Sequence, residues 1–207
     1  MQFSPFISRI SAPVLALLPA AAGAVTMPGF DHAIPVEPQK LEIGGGAAGG
    51  DDLITALALL RIGLLDDLDL GVRAGFVDGL AGQSGFEVQA GPRFRFLRTE
   101  DSGFVDSAFI VDASIAKTEN LFVLGLDPTF VASHHFDLDG KRELYISMGL
   151  GVAFNLLDQD PTGMDLESGF MGAFSVGADI VEHVRASLEA RLRDEIVRYG
   201  LAVTYLF

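Results

Sequence analysis

Four stretches of this chain alternate between an apolar and a polar face with a period of two, which builds extended strands and not helices. In 86–96 one face carries Phe86, Val88, Ala90, Pro92, Phe94 and Phe96, and the other Glu87, Gln89, Gly91, Arg93 and Arg95. Leu68, Leu70, Val72, Ala74 and Phe76 likewise oppose Asp69, Gly71, Arg73 and Gly75. Leu144 to Phe154 and Val184 to Leu192 repeat the scheme. In a soluble sandwich the polar face would be the exterior and would favour Lys, Thr and Ser. Here it consists of glycine, small residues and arginine–carboxylate pairs, which suit a crowded, wet interior.

Turn residues divide the chain after Gln39 into ten such segments, near 39–48, 53–64, 67–78, 85–97, 104–116, 120–134, 143–156, 168–181, 183–193 and 196–207. A tilted strand needs about 9–11 residues to cross a hydrocarbon layer, and these segments have that length. After Gly23 no apolar run approaches the roughly 18 residues of a spanning helix. The expected fold is all-β: a closed, antiparallel, up-and-down transmembrane β-barrel of about ten strands, with eight still compatible because the first strand is glycine-rich and the turn at Glu182 is minimal. Pro92 and Pro128 fall inside strands, where each removes a ladder hydrogen bond, so bulges are expected there.

The closing residues Tyr199, Leu201, Val203, Tyr205 and Phe207 place an apolar or aromatic side chain at every second position and end on phenylalanine. This ending resembles the last strand of small Gram-negative outer-membrane β-barrel proteins. The resemblance covers 40–207 as a pattern, and only the last strand offers a specific motif. It implies an outer-membrane location, a terminal strand read as a tag by the barrel-assembly machinery, and contact with outer-membrane lipid and lipopolysaccharide. A monomer is expected.

Residues 1–24 read as a secretory signal: Arg9, an apolar stretch from Ala12 to Ala21, and a small-x-small site at Ala22-Gly23-Ala24. Residues 25–38, with Pro28, Pro35 and Pro38 and little periodicity, read as a periplasmic lead-in, and 39–207 as the barrel domain. The chain has no cysteine, which excludes a lipid-anchored lipoprotein and a disulfide scaffold. A net charge of −14 argues against nucleic acid as a partner.

If the first strand runs outward, both ends of the chain lie on the periplasmic side. Phe76, Phe86, Phe122, Phe154 and Phe170 then fall near the outer rim, and Phe94, Phe96, Phe104, Phe130, Tyr205 and Phe207 near the inner one. Two aromatic belts result, as interfacial rings prefer. Facing inward are Arg61, Arg73, Arg93, Arg95, Arg185, Arg191, Arg193 and Arg198, against Glu42, Asp69, Glu87, Asp106, Asp112, Asp127, Asp179 and Glu189. Charges of both signs in a narrow bore should pair and fill it, because unpaired buried ions are costly.

Candidate chemistry is sparse. Ser133-His134-His135 and His183 are the histidines to weigh for the serine–histidine chemistry of outer-membrane lipid-modifying enzymes. They fall at the periplasmic rim without a matching motif and read as interfacial turn residues. Asp158-Gln-Asp160-Pro-Thr162-Gly163 begins like a calcium loop, but Gly169 stands where the bidentate glutamate belongs, so a solvated loop is expected. Gly44-Gly45-Gly46 lacks the lysine and helix of a phosphate loop and reads as close strand packing. No catalytic set, metal or cofactor is implied. The reading is a plugged barrel with a structural or surface-interaction role; the alternatives are a narrow channel or transporter for small solutes and a lipid-modifying enzyme.

Overall fold

The computed structural model describes residues 27–50, 53–80, 83–140, 142–159, 163–193 and 196–207. The signal sequence expected at 1–24 lies outside them. The strands are β1 (Leu41–Gly50), β2 (Leu53–Leu65), β3 (Leu68–Leu80), β4 (Gln83–Leu97), β5 (Asp106–Lys117), β6 (Leu121–Asp137), β7 (Glu143–Gln159), β8 (Gly163–Val181), β9 (Val184–Arg193) and β10 (Ile196–Leu206). Each pairs antiparallel with the next, and β1 pairs with β10 to close the barrel. At the seam Phe207 N–H donates to the Leu41 carbonyl at 2.8 Å, so the last residue helps to remove the sheet edge. The end of the barrel where Leu41 and Phe207 meet is the terminal end; the opposite one is the far end.

The alternation sorts side chains as their chemistry requires. Along β7, Ile146, Met148, Leu150, Val152 and Phe154 are exposed, whereas Tyr145, Ser147, Gly149, Ala153 and Asn155 are buried inside. A continuous apolar band around a closed wall has no protein to cover it, so lipid must. Phe76, Phe86, Phe154 and Phe170 project outward toward the far end and Phe94, Phe96, Phe104, Phe130, Tyr205 and Phe207 toward the terminal end, while Phe122 is half-buried.

Neither internal proline makes a bulge. Register is unshifted from Ala90↔Ala113 to Arg93↔Ile110 and from Leu126↔Phe154 to Thr129↔Gly151. A proline lacks only the N–H that would face one neighbour, and the ladder skips pairs on that side. Pro92 stays opposite Leu70 and Pro128 opposite Val111 on the other. The register shifts lie nearer strand ends, at Gly63/Leu65, Val77/Leu80, Arg95/Leu97 and Asp179/Val181.

Candidate functional site

The stretch read as a periplasmic lead-in runs through the lumen. Met27, Phe30, Asp31, His32, Ala33 and Val36 are all buried, and the chain leaves at the terminal end to enter β1. Its prolines keep it extended and outside any ladder, so lumen side chains must satisfy its backbone. Glu189 accepts the N–H groups of Gly29 at 3.0 Å and Phe30 at 2.6 Å. Ser133 Oγ accepts from Ala33 at 3.0 Å and Asp69 from Val36 at 2.9 Å. In return Arg191 donates to the Met27 carbonyl at 3.0 Å, Arg73 to Gly29 at 3.2 Å and Arg93 to His32 at 2.6 Å. The Asp31 carbonyl accepts from Ser147 at 2.6 Å and Ser175 at 3.0 Å.

Two glycines shape the groove for this segment. A β-carbon at Gly200 would stand 2.7 Å from the Phe30 ring, and one at Gly63 would collide with the Glu37 backbone where Pro38 bridges to Gly63. Phe30 and Gln39 adopt positive φ, 48° and 66°, a conformation non-glycine residues avoid. At Phe30 it seats the ring among Met27, Leu57, Leu59 and Ala202. At Gln39 it turns the chain back into β1, with Gln39 N–H donating to the Gly63 carbonyl at 3.1 Å.

The Asp31 carboxylate sits at the centre of the charge network. Arg61 reaches it at 2.6 Å, Arg73 at 3.4 Å and Arg191 at 3.6 Å, from three different strands. Each arginine has a second carboxylate: Asp69 for Arg61, Asp112 for Arg73 and Glu189 for Arg191. Arg93 also pairs with Asp69. Nearer the terminal end Arg95 bridges to Asp67 and Asp106, and Arg185 to Asp179 at 2.8 Å and Glu143 at 3.6 Å. Asp127 accepts from Gln89 at 3.2 Å, Glu87 accepts the Met27 N–H at 3.3 Å, and Arg193 and Arg198 are buried on β9 and β10. Of the lumen-facing charges named from sequence, Arg61, Arg73 and Arg191 therefore meet at one point, and what sequence reasoning missed is the residue at that hub. The available signal was Phe30-Asp31-His32, a ring, an acid and a histidine together between prolines.

The lumen is not polar throughout. At the far end Leu53, Val77, Ala116, Leu121, Val123 and Leu157 turn inward and form a dry cluster. Strand β2 carries leucines on both faces, and Thr55 and Arg61 are what mark its inner one.

At the terminal end a cavity of about 440 Å³ opens beside the segment, with His32, His135, His183, Glu143, Asp179 and Arg185 in its lining. Arg185 has only protons to give, and its Nη1 lies 3.3 Å from His32 Nε2, so that nitrogen is the acceptor and the proton sits on Nδ1. That buried Nδ1–H has no partner among the described residues. The histidine pair corrects the sequence reading, because Ser133, His134 and His135 lie in β6 against Ser147, Ile146 and Tyr145 instead of in a turn. Ser133 Oγ is 3.2 Å from His135 Nε2, and His135 Nδ1 is 3.3 Å from Glu143. Ser133 is only 1% exposed, already accepts the Ala33 N–H, and lies between β5 and β7. Ser133 thus anchors the segment, with His135 and Glu143 lined up behind it. His134 points away from it and stacks on Phe104.

The calcium-like loop is also corrected. Asp165 and Glu167 belong to β8, opposite Leu157 and Asn155, because β7 and β8 continue their ladder well past the expected ends. Asp160 lies outside the described residues. Among the described residues no group of histidines and carboxylates is arranged to hold a metal.

The outward apolar band, the paired aromatic belts and the closed antiparallel wall decide what kind of barrel this is. It is a membrane-spanning β-barrel. No protein-family model and no curated protein matches the chain. Solved structures that match include a bacterial polysaccharide outer membrane secretin, with 17% identity, a TM-score of 0.44, and coverage of 75% of this chain and 57% of that one. The barrel therefore spans less than two thirds of the secretin chain. The KdgM porin matches with 11% identity and a TM-score of 0.41 over 79% of this chain and 98% of its own. The COG4313 outer membrane channel from Pseudomonas putida F1 matches with 12% identity and a TM-score of 0.43 over 88% and 100%.

Proposed function

We propose that this outer-membrane barrel is sealed and serves a structural or surface-interaction role, not that of a conduit. The observation that carries this reading is the occupied bore: residues 27–36 fill its middle and an apolar cluster fills its far end. Ions crossing it would have to displace the Asp31 network and then enter a dry zone, and both steps cost desolvation. Reconstituted into planar bilayers, the protein should give no stepwise current. Steady ohmic steps from purified wild-type protein would establish the channel reading instead.

The assembly reading is part of the proposal. Tyr199, Leu201, Val203 and Tyr205 of β10, and Phe207 just after it, are exposed where lipid, lipopolysaccharide and the assembly machinery could meet them. Deleting Phe207 should impair insertion in cells more than it destabilises barrels already folded. Equal insertion of the deleted and intact chains would remove this part.

A further inference from the structure

The bond that holds residues 27–36 differs in kind from the bond that holds every strand. No residue from 27 to 36 joins a ladder, and among the described residues the segment's one bridge is Pro38 to Gly63 at the exit. The barrel grips the segment as a receptor grips an extended peptide: carboxylates take its N–H groups and guanidinium groups take its carbonyls, as with Glu189 under Gly29 and Phe30, and Arg93 on His32. Such contacts read a main chain whatever its sequence. Selectivity enters at two neighbouring positions. The Phe30 ring fills the space left by Gly200, and the Asp31 carboxylate meets three arginines from β2, β3 and β9.

The occupied groove also has an approach. The cavity at the terminal end is lined by His32, Ile34, Pro35, Val36 and Glu37 of the segment. A segment bound by side chains can leave by that route with every strand ladder intact, parting the isolated Pro38–Gly63 bridge at the exit.

From this we infer that the lumen is a peptide-recognition site for an extended chain bearing an aromatic residue followed by a carboxylate, and that residues 27–38 are its built-in occupant. When the segment withdraws, the site accepts the same chemistry from a separate peptide that enters at the terminal end. This goes beyond the sealed-barrel reading and rests on the segment being the seal.

The test uses the full chain with a protease site inserted between Gln39 and Lys40, at the exposed turn outside the lumen. The protein is folded in detergent and cut afterwards. The probe is a fluorescent synthetic peptide with the sequence of residues 27–38. The cut segment should stay with the barrel through gel filtration and exchange with excess probe. A probe carrying Asp31→Asn should bind at least tenfold more weakly, because it loses the charge-assisted bonds to the arginines. Uncut wild-type barrel should exclude the probe. The inference fails if the folded, cut barrel neither retains its segment nor takes up the probe, if the Asn probe binds equally well, or if uncut barrel binds as much probe as cut barrel. Should cutting unfold the barrel, the uncut Asp31→Ala chain decides: probe uptake at least tenfold above wild type supports the inference, and equal uptake overturns it. Conductance by uncut wild type would defeat the sealed-barrel reading alone, since probe binding is measured separately.

Discussion

The two faces of one wall solve opposite problems. On β9 the outward Leu188 is exposed and the inward Glu189 is buried, so a single peptide unit separates a group that needs lipid from one that needs a partner. The outer face makes no directional demand, and any apolar side chain serves. The inner face is specific: Glu189 accepts two N–H groups of the luminal segment and also pairs with Arg191. Stability on the outside comes from the solvent the barrel sits in. On the inside it comes from a particular stretch of its own chain.

That contrast can be broken from either side. The largest effect is expected outside: Leu150, which is 54% exposed near the middle of β7, should cost up to about 4 kcal/mol when replaced by arginine. Denaturant titration of the folded barrel in lipid vesicles would measure it. Next is Asp31→Ala, which leaves three buried guanidinium groups without their shared carboxylate. Each keeps a second acid, so the expected loss is at the low end for a broken buried pair, about 3 kcal/mol by the same titration. Val123→Ala in the dry far-end cluster removes two methyl groups' worth of burial and should cost about 1.5 kcal/mol, leaving the Asp31 network untouched.

The smallest effect lies at the terminal end. Arg98, through a side-chain hydrogen bond at 2.6 Å, and Arg95 hold the Asp67 carboxyl below its usual range. A depressed carboxyl stabilises the fold above its unfolded value, near pH 4, and that contribution disappears as the pH falls through the folded value. The pair is partly exposed and therefore weak. Wild type and Arg98→Ala should differ slightly in unfolding midpoint at neutral pH, and the difference should shrink on acidification as the Asp67 carboxyl is protonated; a difference that grows on acidification would contradict the assignment.

How legible each region was follows from the same contrast. Strand phase could be read wherever the two faces differ, as in 86–96, and the inward arginines and acids followed from it. Strand ends were less visible: Met164 to Glu167 look like loop because they are acidic, yet they extend β8 because β7 continues opposite them. On β2 both faces carry leucines, so the phase of that strand rested on the inward Arg61, which puts Leu53, Leu57 and Leu59 on the same side. The luminal segment was the least visible. Its bonds join residues separated by 160 positions, as Gly29 to Glu189, and side chains supply them in place of a ladder, so no period appears in its own sequence.

The central claim is that residues 27–36 occupy the bore, and the absence of cysteine from the chain makes it directly testable. Single cysteines introduced as Ala33→Cys and Gln39→Cys are exposed to a charged, membrane-impermeant thiol reagent in the folded, lipid-embedded protein. The account predicts rapid labelling at position 39 and strong protection at position 33 until the barrel is unfolded. Equal, rapid labelling at both positions would place the segment outside the lumen and contradict it.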